Sequence, residues 1–281
     1  MSSIDQYAVF GHPINHSLSP EIHARFAAET GQSMAYARQD ITPEQFAQAL
    51  TDFLKQGGKG LNCTVPLKEL AYAVCDRRSP GAERARAVNT LMRGTNGQLY
   101  GDNTDGTGLV RDLTRNLSLS LKGLRILLIG AGGASRGVLF PLLEQQPGVL
   151  VLTNRTLARA EQMVAEFSDL GRVSVSSLQA LGGQTFDLIL NATAASLTGE
   201  LPDLPDHLVA EGSICYDLAY SAKPTAFVQW GIRAGAARSV DGIGMLVEQA
   251  ADAFELWRGV RPHTAAVIAG FRQKQTHNPA I

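Results

Sequence analysis

Two short stretches carry residue types that could do proton chemistry. In LNCTVPLKEL, residues 61–70, an apolar run ends in Thr64, a proline follows, and Lys68 stands where a helix should begin. The amide end of a helix carries partial positive charge, so a lysine is normally unwelcome there. A solvated lysine tolerates the position, and that is one reading. The other requires an acidic partner. GDNTDG, residues 101–106, offers Asp102 and Asp105, although aspartate also suits turns and caps in its own right. Where a lysine and an aspartate converge in a cleft, the carboxylate holds the ammonium, and the ammonium can donate to a developing oxyanion.

A third stretch could hold a cofactor. ILLIGAGGASRGV, residues 126–138, reads as an apolar strand, a glycine turn and the start of a helix. Gly130 permits the tight turn, Gly132 lets backbone approach a pyrophosphate, and the helix N-terminus receives its charge. Ser135 stands where a third glycine or alanine is usual, and a purely structural glycine turn is the competing reading. NAD-selective sites place Asp or Glu at the end of the next strand, about 20 residues on. Here that strand ends in Asn154-Arg155-Thr156, with Arg159 one turn further. Two guanidiniums and no carboxylate suit a 2′-phosphate, so the residues favour NADP over NAD.

These groups need elements to hold them. QYAVFG reads as a strand, and Ser19, Pro20 and Glu21 read as N-cap and first turn of a helix that Gly31 ends. MAYARQDI is a second strand, and Thr42, Pro43 and Gln45 make a capping box before Phe46, Leu50, Phe53 and Leu54. GKGLNCTV is the third strand, with a helix expected from Pro66. AVNTLMR and GQLYGDN read as two strands joined by a turn at Asn96-Gly97. After a helix opened by DGTGLVRDL, the alternation restarts: LRILLIG, VLVLTN, FDLILNAT and GSICYDLAY as strands, TLARAEQMVAEF as a helix. SVDGIGMLVEQAADAFELW then forms an amphipathic helix with Met245, Leu246, Gln249, Ala253 and Phe254 at helical spacing. Strand-helix alternation of this kind makes mostly parallel sheets with crossover helices.

The bulk numbers set few limits. A chain of 281 residues suits two cores, and 44% hydrophobic residues with a net charge of -1 give no reason to expect nucleic acid or a membrane as partner. No apolar run of about 18 residues and no leader pattern is visible, so a cytoplasmic location is expected. Cys63, Cys75 and Cys215 form no C-x-x-C pair and read as buried thiols. His12 and His16 are separated by Pro13, and no metal-binding motif is present, so no metal is expected. The expected domains are 1–105, rejoined by 242–281, and 106–241.

Taken in order, FGHPINHSLSPEIH, LNCTVPLKE, AVNT, GDNTDG, IGAGGASRG, TNRT and DGIGML span about residues 7 to 260. This series closely resembles the shikimate dehydrogenase family. The resemblance implies an α/β fold of two domains, an N-terminal, mostly parallel substrate domain and a Rossmann-like NADP-binding domain, with a cleft between them. It implies reversible NADPH-dependent reduction of 3-dehydroshikimate to shikimate in the shikimate (chorismate) pathway, by a monomer or homodimer. Lys68 and Asp105 match the family's catalytic pair. Ser17 and Ser19 match hydroxyls on the substrate carboxylate, and Asn62, Thr64, Asn89, Tyr220 and Gln249 match groups on its hydroxyls or carboxylate. Gly130, Ala131, Gly132, Gly133 and Ala134 match the cofactor loop. Asn154, Arg155, Thr156 and Arg159 match the adenosine-phosphate clamp, and Leu218, Gly242 and Met245 lie at positions near the nicotinamide. Two stretches depart from the family pattern: Ala194-Ala195-Ser196 and YSAKPTAF from Tyr220. Two other assignments remain open, a quinate/shikimate dehydrogenase with broader substrate and cofactor use and a non-catalytic nucleotide-binding relative.

Overall fold

The computed structural model of the chain describes residues 4–193, 195, 199–201 and 203–276. Two compact units result, one running to Gly108 and taking up Val247–Val267, the other spanning Leu109–Leu246 and continuing from Ile268. Residues 242–281 were expected to rejoin the first unit as one piece. By contacts, Val247–Val267 groups with the first unit, and residues 242–246 and 268–276 group with the second. Within the second unit the Gln275 side-chain amide donates to Ser221 O at 2.8 Å and to Asp241 Oδ2 at 2.6 Å.

The first unit contains β1 (Asp5–Gly11), α1 (Ser19–Thr30), β2 (Met34–Asp40), α2 (Phe46–Lys55), β3 (Gly58–Cys63), α3 (Lys68–Ala73), β4 (Arg77–Arg78), α4 (Pro80–Ala85), β5 (Thr90–Arg93), β6 (Leu99–Asp102) and the start of α5 (Asp105–Arg111). Its sheet runs β2-β1-β3-β5-β6-β4. β1 pairs parallel with β2 and β3, whereas β5 runs antiparallel to β3 and β6. The β5–β6 hairpin turns where expected, with Gly97 at φ +85° and Asn96 Oδ1 accepting from Gln98 N. One face of the sheet buries Ala8, Phe10 and Leu61 against Phe46, Leu50 and Phe53 of α2.

Two local expectations give way. Leu18, not Ser19, occupies the cap of α1, with no side-chain capping bond, so Ser19 is the first helical residue. Pro66 lies in a turn ahead of α3, which begins at Lys68. The short β4 and α4 were not foreseen. Ser79 caps α4 by accepting from Ala82 N at 3.1 Å.

In the second unit, a π-helical turn (Asp112–Asn116) follows α5. Then come β7 (Arg125–Ile129), α6 (Gly133–Glu144), β8 (Val149–Thr153), α7 (Leu157–Phe167), β9 (Val173–Val175), β10 (Phe186–Asn191), β11 (Val209–Asp217), α8 (Ala226–Arg233) and β12 (Arg238–Val240). All pairings are parallel, in the order β12-β11-β10-β7-β8-β9. Read from the other edge, this is the doubly wound order 3-2-1-4-5-6. Both faces are covered. Ile126 and Leu128 enter one core with Leu150 and Leu152, while Leu127 and Ile129 enter the other with Phe227 and Trp230. That accounts for the unbroken apolar run in LRILLIG. The chain closes with α9 (Ile243–Arg258) and α10 (Ala265–Thr276). No helix among the described residues is long and apolar enough to cross a membrane.

Candidate active site

In the first unit, polar side chains gather at one edge of the sheet: the carboxyl ends of β1, β3 and β6 and the amino end of the antiparallel β5. Open α/β sheets bind ligands at such an edge. Lys68 heads α3 just past β3, and Asp105 opens α5 just past β6. Lys68 Nζ donates to Asp105 Oδ2 at 2.5 Å across 37 residues of sequence. The two side chains are 26% and 14% exposed, shielded enough to strengthen the pair yet open to a ligand. Asp102, the other aspartate of GDNTDG, is occupied elsewhere: its Oδ1 accepts from the Ser79 hydroxyl and from Asn103 N.

Asn89 ties the pair to the rest of the cluster. Its Nδ2 reaches Asp105 Oδ1 at 2.9 Å, Thr104 Oγ1 at 3.0 Å and Gln249 Oε1 at 3.3 Å. Its Oδ1 accepts from Thr104 N at 2.9 Å and from Thr90 Oγ1 at 2.9 Å. Asp105 thus receives a bond on each oxygen, one neutral and one charged, and cannot swing from Lys68 without losing both. Asn62 lies one strand over and donates to Asn89 O at 3.1 Å and Thr90 Oγ1 at 3.0 Å. Ser17 Oγ accepts from Ser19 N at 3.3 Å, so the two serines are neighbours, and both are buried. Thr64 directly follows β3, where its amide donates to Phe10 O at 2.9 Å. Of the nine catalytic and substrate residues expected from the sequence, only Tyr220 lies outside this unit. It belongs to the second, near Asp241, where burial raises its phenol pKa.

Thr90, Asn103, Thr104 and Tyr36 complete the network and were not singled out in the sequence. Thr104 and Asn103 lie inside GDNTDG itself, a signal that was available. Asn103 Oδ1 accepts from Asp105 N at 3.2 Å and its amide donates to Ala87 O at 3.0 Å, which fixes the start of α5.

Behind this cluster His23 is fully buried; among the described residues neither ring nitrogen meets a partner at full hydrogen-bond geometry, and Asn62 is a polar group beside it. Burial lowers its pKa from 6.5 to about 3. Between those values the unfolded chain binds a proton that the folded chain refuses. Stability is therefore whole above pH 6.5 and is lost as pH falls below it, by ~1.4 kcal/mol per unit at full slope. His23→Phe keeps the flat ring and should flatten the dependence of the urea midpoint on pH between 6.5 and about 4. An unchanged slope would assign the acid sensitivity to other groups.

The second unit carries the glycine turn at the end of β7, beside β10, where the strand order reverses. Gly130 takes φ +107°, which only glycine adopts at ease, and an added Cβ would press on Thr193 and Ala192. At Gly132 and Gly133 an added Cβ would meet nothing within 4 Å, so the backbone there is open to a ligand. α6 begins at Gly133 with no side-chain cap, leaving its first amides directed outward. Ser135 fits its place: its hydroxyl donates to Gly130 O at 2.6 Å and pins the turn. Asn154 joins the two cofactor segments, accepting from Ala131 N at 3.1 Å and donating to Thr156 O at 2.8 Å. Arg155 and Arg159 stand exposed beside it, and Ala134 is in the first turn of α6. These features fit a dinucleotide pyrophosphate with a phosphorylated ribose.

Gly242 is tied to Leu218: its amide donates to Ala219 O, and an added Cβ would lie 2.3 Å from Leu218 O. Met245 N donates to Tyr216 Oη at 3.1 Å. Of the Ala194-Ala195-Ser196 departure, Ala194 and Ser196 lie outside the described residues. The YSAKPTAF departure is accommodated locally, because Thr225 caps α8 and donates to Asp217 Oδ2 at 2.6 Å.

A doubly wound sheet with a glycine turn at its switch point, joined to an α/β unit bearing a lysine–aspartate pair, has the architecture of a two-unit α/β dehydrogenase. Comparison with known proteins narrows this. Residues 9–91 match the shikimate dehydrogenase substrate binding domain, residues 112–198 match shikimate / quinate 5-dehydrogenase, and residues 242–269 match the shikimate 5′-dehydrogenase C-terminal domain. The chain is 59% identical over 268 residues to a shikimate dehydrogenase (NADP(+)) of Methylococcus capsulatus, covering 95% of this chain and 96% of that one. A crystal structure of an Ael1 enzyme from Pseudomonas putida superposes with TM-score 0.91 at 46% identity, covering 95% and 98%. Shikimate 5-dehydrogenase from Thermus thermophilus, solved in complex with NADP(H) and shikimate, superposes with TM-score 0.85 at 33% identity, covering 96% and 99%. The chain belongs to the shikimate dehydrogenase family.

Proposed function

We propose that this chain catalyses the reversible NADPH-dependent reduction of 3-dehydroshikimate to shikimate, the step that feeds chorismate and aromatic amino-acid synthesis. The observation that carries the reading is the Lys68–Asp105 ion pair, held by Asn89 among hydroxyl- and amide-bearing side chains. NADPH, when bound, supplies the hydride that turns the ring ketone into an alcohol. Gly130 to Ala134, Asn154 to Thr156 and Arg159 would hold it by pyrophosphate and 2′-phosphate, and Leu218, Gly242 and Met245 would lie against its nicotinamide.

The chain's own residues handle the oxygen. Lys68 has three N–H donors and gives one to Asp105. The others are available to the ketone oxygen as negative charge builds there, and Lys68 then passes it a proton. Asp105, gripped by Asn89, keeps the ammonium in one orientation. Ser17 and Ser19 would receive the carboxylate, and Asn62, Thr64, Asn89, Tyr220 and Gln249 the ring hydroxyls or the carboxylate. A site that pairs each hydroxyl rejects analogues lacking one, because its buried polar groups are then left unmatched. We place the enzyme in the cytoplasm, as a monomer or homodimer. The buried free thiols of Cys63, Cys75 and Cys215 fit a reducing compartment.

Absorbance at the reduced-nicotinamide band, with shikimate and either NADP or NAD, tests the reading. Growth with NADP and little with NAD is expected. Growth with NAD alone would move the chain to the quinate/shikimate branch, and no growth with either would leave it a binding protein. Arg155→Asp should weaken NADP by at least about tenfold and leave NAD nearly untouched, since a phosphate pair is replaced by a repulsion. Equal losses for both cofactors would remove Arg155 from the phosphate clamp.

A further inference from the structure

Tyr36 has no part in the scheme above, yet it sits at the centre of the substrate cluster. It stands on β2, and the His23 ring stacks on it with centroids 4.2 Å apart and planes 11° apart. Trp257 packs against both rings, 5.4 Å from His23 and 6.3 Å from Tyr36. The phenol is thereby held in one plane, and its hydroxyl lies 2.7 Å from Asn62 Oδ1.

The direction of the Tyr36–Asn62 bond is decided by its surroundings. Asn62 Nδ2 faces the Asn89 carbonyl, which can only accept, at 3.1 Å, and Thr90 Oγ1 at 3.0 Å. The amide nitrogen is therefore pinned on that side, and the atom facing Tyr36 is the amide oxygen. The phenol must donate. Both amide hydrogens of Asn62 are engaged with the protein, so what it can offer a ligand is the second lone pair of Oδ1. A substrate hydroxyl meeting Asn62 would donate its proton there.

We propose that Tyr36 is a positioning residue of the substrate site, holding Asn62 through Oδ1 so that this amide serves as a hydrogen-bond acceptor for one ring hydroxyl of the substrate. The inference rests on the shikimate reading and adds to it a direction for one contact and a residue that sets it. Tyr36 touches no reacting atom in this scheme, so its loss should be felt in binding more than in turnover.

Steady-state kinetics of Tyr36→Phe, which keeps the ring and its stack, provide the test. The KM for shikimate should rise at least about fivefold, with kcat within about twofold and the KM for NADP unchanged, in line with a lost hydrogen bond at a buried acceptor. Because Tyr36 acts through Asn62, adding Tyr36→Phe to Asn62→Ala should raise the KM less than about twofold further. An unchanged shikimate KM in Tyr36→Phe, an equal loss toward NADP, or effects of the two substitutions that simply multiply would each overturn the proposal while leaving the shikimate reading in place. An unmodified chain inert toward shikimate would overturn both.

Discussion

Lys68→Ala should lower kcat by more than ~100-fold while shikimate binds nearly as before, the size expected for loss of a positioned acid–base group. The reasoning is geometric. Among the described residues Lys68 is the cation bonded to Asp105, at 2.5 Å, and that pairing uses one of its three donors. Alanine removes both the charge that would meet the developing alkoxide and the proton it needs. It also leaves the Asp105 carboxylate, 14% exposed, with Asn89 alone as its partner among the described residues, beside a site where negative charge must grow. Binding is spared because the serines and asparagines that would read the substrate are held apart from α3: Ser17 ahead of α1, Ser19 in α1, Asn62 within β3 and Asn89 just before β5. Isothermal titration with shikimate, set beside turnover, separates the two quantities. Unchanged turnover would remove Lys68 from the mechanism, and lost binding with intact kcat would make it a substrate anchor.

Gly244→Ala should cost about 3 kcal/mol of stability, at the high end for overpacking, and lower the melting temperature by roughly 6 to 12 °C. An added Cβ would lie 2.1 Å from both carboxylate oxygens of Asp112. That carboxylate has no room to yield: Asp112 is fully buried, its Oδ1 accepts from Asn116 Nδ2 at 2.9 Å, and its Oδ2 accepts from the Tyr216 hydroxyl at 2.7 Å. Tyr216 in turn accepts from Met245 N. The burial of Tyr216 and the neighbouring Asp112 raise its phenol pKa well above 10.0, so it remains a donor at any working pH. Pushing Asp112 aside would disturb Gly242 and Met245 at the head of α9, so NADP affinity should fall with stability. Thermal unfolding with and without NADP measures both. A loss under about 1 kcal/mol with unchanged NADP affinity would show that Asp112 can move aside.

The groups that could do chemistry were legible because their signals are local. Lys68 after a strand, Asp105 in GDNTDG and the turn around Gly130 each rest on a few adjacent residues. What was illegible depends on distance in the chain. Tyr36 in MAYARQD reads as an ordinary strand tyrosine, and its role comes from Asn62, 26 residues away. Between the two aspartates of GDNTDG only the family resemblance chose Asp105; the physical reason, Ser79 occupying Asp102, lies 23 residues away in the chain. Ser19 reads as an N-cap because Ser-Pro-x favours one, but Leu18 already takes helical dihedrals, φ -86° and ψ -7°. The alternation of strands and helices foretold a parallel sheet in the second unit. Its order did not follow from it, since β10 pairs with β7 across more than fifty residues of intervening chain that local pattern cannot place. Ser79-Pro80 with Glu83 carried a capping signal for α4 that was overlooked.

The central claim is that this chain moves a hydride to the ring ketone while Lys68 supplies the proton. The most direct measurement supplies 3-dehydroshikimate with NADPH carrying deuterium on one or the other face of nicotinamide C4, and weighs the shikimate formed. The account predicts one deuterium in the product from one labelled face and none from the other. Shikimate without deuterium from either, or with a carbon-bound label taken from heavy water, would contradict it.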